Sequence, residues 1–173
     1  NTDAFGFVEN IRQNSSWNAG GVAVVLGAGG AARAVCVALI DAGVTEIRVL
    51  NRTRERADAL ARDLGRPLTV ADWSHRAAVL ADATMLVNTT SLGMTGQPPL
   101  EIDLAALSEK AVVNDIVYVP LETDLLAAAR ARGNETVDGL GMLLHQARPG
   151  FEAWFGVKTE VTEELRNFVL GKG

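Results

Sequence analysis

The chain has 173 residues, is 48% hydrophobic and 21% charged, and carries a formal net charge of −5. That length and balance suit one globular domain with a real core, and the acidic surplus argues against nucleic acid, whose binding rests on basic surface. No apolar run approaches the ~20 residues that cross a bilayer, no signal peptide is visible, and one cysteine, Cys36, excludes an intrachain disulfide, as expected of a cytoplasmic protein.

Asn1-Thr2-Asp3 opens a stretch in which Phe5, Val8, Ile11 and Arg12 recur at helical spacing, with Asp3 expected to cap the helix. Residues 14–21 are polar and end in glycine, so they read as a loop. The β-branched run 22–26 reads as a buried strand. Glycines at 27, 29 and 30 then turn the chain into a helix whose Ala32, Val35, Cys36 and Leu39 share one face; Cys36 is a core filler there. Residues 46–50 are a second strand, and Asn51-Arg52-Thr53 a turn with Thr53 as N-cap. Ala57, Leu60, Ala61 and Leu64 form the apolar face of the next helix, which stops at Gly65. A weak third strand (67–70), a short helix (74–81) and a fourth strand (85–88) follow. The Ser/Thr turn 89–94 and the loop 96–99 lead to a fifth strand (111–116). An Ala/Leu helix (123–132), a short sixth strand (135–137), a long helix (140–155) disturbed at Pro149, and a last helix (159–170) opened by Thr159 or Thr162 complete the chain.

Strands alternating with helices mean βαβ units. The expected fold class is α/β: a doubly wound parallel sheet of about six strands, of Rossmann type, with extra N- and C-terminal helices. The order 3-2-1-4-5-6 would put a ligand across the carboxyl ends of strands one and four.

Gly27-x-Gly29-x-x-Ala32 lies where a strand turns into a helix, the context that gives a dinucleotide fingerprint its meaning. Gly27 would allow the turn, Gly29 would admit a pyrophosphate to the backbone, and Ala32 would let helix and strand pack closely. The helix N-terminus favours an anion. The alternative is a turn that is merely tight.

The end of the second strand selects the cofactor. An NAD-specific domain places a carboxylate there for the ribose 2′-OH. Here stand Asn51, Arg52, Thr53 and Arg56. Two guanidinium groups and a hydroxyl suit a 2′-phosphate, and cations at a helix start oppose its dipole, which weakens the reading of them as a merely solvated basic turn. NADP is therefore expected. Thr90 and Ser91 carry hydroxyls after the fourth strand, either to the cofactor or to their own turn. Tyr118, the only tyrosine, ends the fifth strand and is either a donor to a substrate carboxylate or a packed aromatic. Gly139, Met142 and Gln146 share a helical face; Gly139 permits close approach, and Gln146 suits a hydroxylated substrate or the surface. His75 reads as surface and His145 as structural, and no metal site is expected.

These stretches together resemble shikimate dehydrogenase. The carriers are Asn1-Thr2-Asp3, the 27–31 loop, Asn51-Arg52-Thr53 with Arg56, Asn88-Thr89-Thr90-Ser91-Leu92-Gly93-Met94, Asp115-Ile116-Val117-Tyr118, and Asp138-Gly139-Leu140-Gly141-Met142 through Gln146-Ala147. The resemblance implies reversible NADPH-dependent reduction of 3-dehydroshikimate to shikimate, in aromatic amino-acid biosynthesis. It implies Gly27, Ala28, Gly29, Gly30 and Ala31 on the diphosphate, and Asn51 to Arg56 on the adenosine ribose and 2′-phosphate. It implies Ile116 and Gly139 at the nicotinamide, with Met142 beside them. Tyr118 and Gln146 would contact shikimate, and Asp3 would match the active-site Asp that binds a substrate hydroxyl beside a catalytic lysine. Neither Lys110 nor Lys158 stands in that lysine's context.

The resemblance thus implies that an N-terminal substrate domain is absent here. Residues 1–20 read as a connecting helix and linker, 21–157 as the NADP-binding domain, and 158–173 as a C-terminal helix packing back toward the absent part. The chain alone is expected to bind NADP without oxidising shikimate. A homodimer is left open. A quinate-directed relative and a stand-alone NADP-binding regulatory module are the alternatives.

Overall fold

The computed structural model describes residues 2–172; Asn1, the first residue of the opening triplet, and Gly173 lie outside the described residues. The helices are α1 (Asp3–Asn14), α2 (Gly30–Asp41), α3 (Arg54–Leu64), α4 (Asp124–Ala131), α5 (Gly139–Phe155) and α6 (Glu163–Val169). The strands are β1 (Val22–Leu26), β2 (Glu46–Leu50), β3 (Leu68–Val70), β4 (Ala83–Asn88), β5 (Val112–Asp115) and β6 (Thr136–Val137). They form one parallel sheet in the order β3-β2-β1-β4-β5-β6, as expected for a doubly wound fold. Chain direction reverses its walk across the sheet between β1 and β4, where Leu26 pairs with Asn88 and Asn88 with Asp115.

The alternation of strand side chains builds two cores. Ala23, Val25, Ile47 and Val49 meet Phe7, Ile11, Val35, Leu39, Leu60 and Met142 on one face. Val24, Leu26, Leu86 and Val113 meet Leu80, Leu104, Leu107, Leu125 and Leu126 on the other. A central strand buried on both faces needs an unbroken apolar run, which is what β1 supplies. Cys36 is fully buried, and burial pushes its thiol up to about 12 against the pull of Arg33, so it is an inert packing group.

Several expectations are corrected. The segment 74–81 is two short 3₁₀ turns, Trp73–His75 and Ala78–Leu80, with Asp72 capping the first through Ser74. Beyond the loop 96–99, Leu100, Leu104 and Leu107 join Leu92 in covering the sheet from irregular backbone. The last helix begins at Glu163 rather than at residue 159: of its two candidate openers, Thr162 is the N-cap, its hydroxyl accepting from Leu165 N–H. Helix α5 runs unbroken through Pro149 to the left-handed Gly156. Thr2, not Asp3, occupies the N-cap of α1; Asp3 lies one residue inside, where a carboxylate still favours the helix dipole. The seam of α1 is Gly6, Phe7, Asn10 and Ile11, whereas Phe5 stays 39% exposed with the Arg148 guanidinium over its ring. No described helix is long and apolar enough to cross a membrane.

Candidate cofactor and substrate cleft

The turn after β1 is fixed from both neighbours. Gly27 N–H donates to the Leu50 carbonyl at 2.7 Å, at the end of β2. Thr89, after β4, donates its N–H and its hydroxyl to the Leu26 carbonyl at 2.8 and 2.6 Å. Gly27 has φ +111°, and a β-carbon there would stand 2.5 Å from Thr89 Oγ1, so the position demands glycine twice over. Gly29 and Gly30 differ: no atom lies within 4 Å of where their β-carbons would sit. Gly29 is the N-cap of α2 and offers no side-chain cap, leaving the first-turn N–H groups to an outside acceptor. The turn therefore has the room and the donors that a diphosphate needs. Ala32 is fully buried, in keeping with close helix–strand packing.

At the end of β2, Asn51 Nδ2 donates to the Thr53 carbonyl at 2.8 Å, shaping the turn. Thr53 is the N-cap of α3 without a side-chain cap bond. Arg52 and Arg56 are exposed, and neither forms an ion pair among the described residues. The intervening Arg54 instead reaches Asp58 at 3.7 Å and Asp72 at 3.9 Å. Two guanidinium groups without carboxylate partners thus flank the turn.

A cleft of about 280 Å³ brings most of the remaining candidates together. Asp3, from α1, lines it with Ala31 of α2 and Ile116 and Tyr118 beyond β5. Gly139, Met142 and Gln146 line it from α5. An adjoining hollow of about 630 Å³ shares Ile116 and Tyr118 and adds Thr90, Ser91 and Met94. Tyr118 is 45% exposed, so the packed-aromatic alternative does not hold. Gly139 does permit a close approach, but the approach is the chain's own: a β-carbon there would overlap the Ile116 carbonyl. Helix α5 therefore starts directly against the β5 turn, which is how Ile116 and Gly139 share a wall.

The hydroxyls after β4 divide. Thr90 donates to Asn88 Oδ1 at 2.7 Å and accepts from Leu92 N–H at 3.1 Å, so it braces its own turn. Ser91 is exposed. His145 is 4% exposed and bonded to Gln13, as a structural histidine should be, and His75 is exposed. Lys110 and Lys158 are exposed and line neither hollow.

One cluster was not singled out from the sequence. Asp115 is fully buried, and its carboxylate accepts from Asn88 Nδ2 (3.0 Å), Val117 N–H (3.0 Å) and the Thr123 hydroxyl (2.8 Å). Burial pushes its carboxyl up to about 6, against the opposing pull of Val117, Thr123 and Asn88. The available signal was a carboxylate inside an apolar strand, which must find donors.

A parallel doubly wound sheet, with an open glycine turn and helix N-terminus at its switch point, is the architecture of a dinucleotide-binding α/β domain. Comparison with known proteins is more specific. The family described as shikimate / quinate 5-dehydrogenase matches residues 11–95. The chain is 66% identical to the shikimate dehydrogenase (NADP(+)) of Paramagnetospirillum magneticum, over 98% of this chain and 62% of that protein. It is 61% identical to the protein of the same name from Rhodospirillum rubrum, over 99% and 63%. Among solved structures, shikimate 5-dehydrogenase of Thermus thermophilus with NADP(H) and shikimate aligns with TM-score 0.80 at 38% identity, covering 92% of this chain and 58% of that one. Quinate dehydrogenase of Corynebacterium glutamicum with NAD aligns with TM-score 0.87 at 34% identity, over 98% and 62%. The resemblance to shikimate dehydrogenase is thus borne out in sequence and fold, and the chain spans about three fifths of the length of these relatives.

Proposed function

We propose that this chain is the NADP-binding portion of an enzyme that reversibly reduces 3-dehydroshikimate to shikimate. The observation that carries the reading is the convergence of Asp3, Tyr118 and Gln146 with Ile116 and Gly139 in one cleft at the carboxyl ends of the strands. Bound NADPH supplies the hydride. The open turn at Gly29 and Gly30, with the first-turn N–H groups of α2, holds the diphosphate. Arg52 and Arg56 pair with the 2′-phosphate, and the Asn51 turn presents them. Ile116 and Gly139 form the wall against the nicotinamide. Asp3, Tyr118 and Gln146 bond the substrate's hydroxyls and carboxylate and orient its ketone. Neither Lys110 nor Lys158 lines the cleft, so the proton that accompanies the hydride comes from a group other than these two. In this reading α1 is the connecting element toward a substrate domain, and the enzyme works in the cytoplasm.

The likeness to an NAD-bound quinate dehydrogenase favours a second reading. It is disfavoured by Asn51, which offers no carboxylate to a ribose 2′-OH. Calorimetric titration of this chain with NADP and with NAD separates the two. NADP should bind at least about tenfold tighter, the effect of even one hydrogen bond between charged groups at ~1.5–3 kcal/mol. Equal dissociation constants would overturn the proposal.

A further inference from the structure

We infer that Asp115 is a positioning residue that holds the turn after β4 and the turn after β5 in one fixed relation where both line the hollow beside the cleft. Its effect on nucleotide binding rests on the cofactor reading above; its mechanical role does not.

The bonds run without a break from one turn to the other. Val117 N–H, next to Tyr118, donates to Asp115 Oδ1 at 3.0 Å. The same oxygen accepts from Asn88 Nδ2 at 3.0 Å. The other end of that amide, Asn88 Oδ1, accepts from Thr90 N–H at 3.0 Å and from the Thr90 hydroxyl at 2.7 Å. Asp115 Oδ2 accepts from the Thr123 hydroxyl at 2.8 Å, which anchors the group to the start of α4. Asp115 and Asn88 are fully buried and Thr123 is 1% exposed.

The residue type is informative. An isolated buried carboxylate is costly, and apolar side chains would join the ends of β4 and β5 more cheaply. What apolar packing cannot do is satisfy amide donors in irregular backbone. The donors at Thr90 and Val117 lie in turns, outside the sheet ladder, and need acceptors of fixed direction. A carboxylate accepts at both oxygens, whereas an asparagine in its place presents an NH₂ to one of the three donors. The two turns so joined both line the hollow beside the cleft, one through Ser91 and the other through Tyr118.

The test compares this chain with Asp115→Asn, Thr123→Val and Thr123→Ser. Two readouts are taken: amide hydrogen exchange at Thr90, Leu92 and Val117, and affinity for NADP and for adenosine 2′,5′-bisphosphate, which lacks the nicotinamide half. Asp115→Asn should speed exchange at Thr90 and Val117 together by about tenfold or more, the loss expected when hydrogen bonds to a charge are weakened. NADP should weaken by a similar factor while the bisphosphate changes less than about twofold, since it spans only the adenosine half of the cofactor, from Arg52 and Arg56 to the glycine turn. Thr123→Val should do the same more weakly, and it decides the matter if Asp115→Asn does not fold. Thr123→Ser should behave as the parent. Faster exchange confined to Val117 and the first turn of α4, with Thr90 and NADP unchanged, would overturn the inference. So would equal weakening of both nucleotides with exchange raised throughout. If the parent binds neither nucleotide yet Thr90 and Val117 loosen together, the cofactor reading falls and the positioning role stands.

Discussion

Asn10 Nδ2 lies 2.8 Å from the backbone carbonyl of Asp138, joining the first helix to the first residue before α5. Asp138 in turn caps α5 through Leu140 N–H at 3.0 Å and pairs with Arg166 of α6. The helices cross where side chains are small: a β-carbon on Gly6 would stand 2.7 Å from the Met142 carbonyl, and one on Gly141 would overlap the Asn10 amide. That close crossing is what brings Asp3 to the same cleft as Met142 and Gln146. Asn10→Ala should cost about 1 kcal/mol or somewhat more, because it removes the side-chain partner of a part-buried carbonyl and empties a buried position. Gly141→Ala should cost about 1–3 kcal/mol or more through overpacking. The double variant should cost less than the sum, because removing the amide makes room for the methyl. Urea melts of the four proteins check this; strict additivity would show that the two residues do not meet.

Much of this was readable in advance. The β1 run is apolar throughout because a central parallel strand has no solvent face, and that made strand, turn and α2 legible together. The strand order followed from the alternation of elements. The segment between β4 and β5 was harder to read, because leucines spaced for no period can cover a sheet from irregular backbone. Of the stripe Phe5, Val8, Ile11 and Arg12, Ile11 lies in the α1 seam and Val8 packs against the core, whereas Phe5 gives way to Phe7, because the glycines at 6 and 141 decide which side of α1 meets α5. The hydrogen-bonded role of Asp115 is not legible in the sequence, because its donors come from positions 27 residues before it and 2 and 8 after it.

Arg52 and Arg56 offer a test in which binding and stability move differently. Each stands near the start of α3, where a cation opposes the helix dipole, and neither forms an ion pair among the described residues. Arg56→Ala should therefore leave stability unchanged or raise it by up to about 1 kcal/mol. The same change should weaken NADP about tenfold or more and leave NAD unchanged, at ~1.5–3 kcal/mol for a charge-assisted bond. Arg52→Ala should follow the same pattern. Thermal melts without nucleotide, set beside calorimetry with each one, separate the two effects. A loss of stability without a change in NADP affinity would assign the arginines to the fold instead.

Asp115 should leave a signature in the pH dependence of stability. Its carboxyl rises from 3.8 to about 6 on folding, so between those values the folded chain holds more protons than the unfolded one. Stability then falls as pH rises: the contribution of the protonated form is complete below about 4 and lost through about 6. A shift of this size corresponds to about 3 kcal/mol. Asp115→Asn removes the titration, so between pH 4 and 7 the variant should gain on the parent by up to about 3 kcal/mol. Glu46, Asp72 and Asp82, held low chiefly by hydrogen bonds from Arg48, Ser74 and Arg48 respectively, give the opposite slope but are common to both proteins. Parallel curves would mean that Asp115 keeps an ordinary carboxyl.

His145 should act in the reverse sense. Its Nδ1 lies 3.1 Å from an Arg148 nitrogen, which only donates, so Nδ1 must accept and the proton sits on Nε2, facing Gln13 Oε1 at 2.6 Å. Gln13 is oriented to match, since its NH₂ donates to the Val161 carbonyl at 3.2 Å. A second proton would have to enter between two donors, beside a guanidinium. Burial first, and then Arg148, therefore hold the imidazole below its usual range, while Glu9 pulls the other way. The stability this contributes is present above about pH 6.5 and is lost as pH falls through the lowered folded value. A His145→Gln variant cannot take up that proton, so the parent's advantage at pH 8 should shrink on acidification toward pH 5, read by urea melts. Because Asp115 adds stability over much of the same acid range, the parent alone shows only the difference of the two. In the His145→Gln, Asp115→Asn double variant both slopes should vanish together, and a slope that survives there would have to come from some other group.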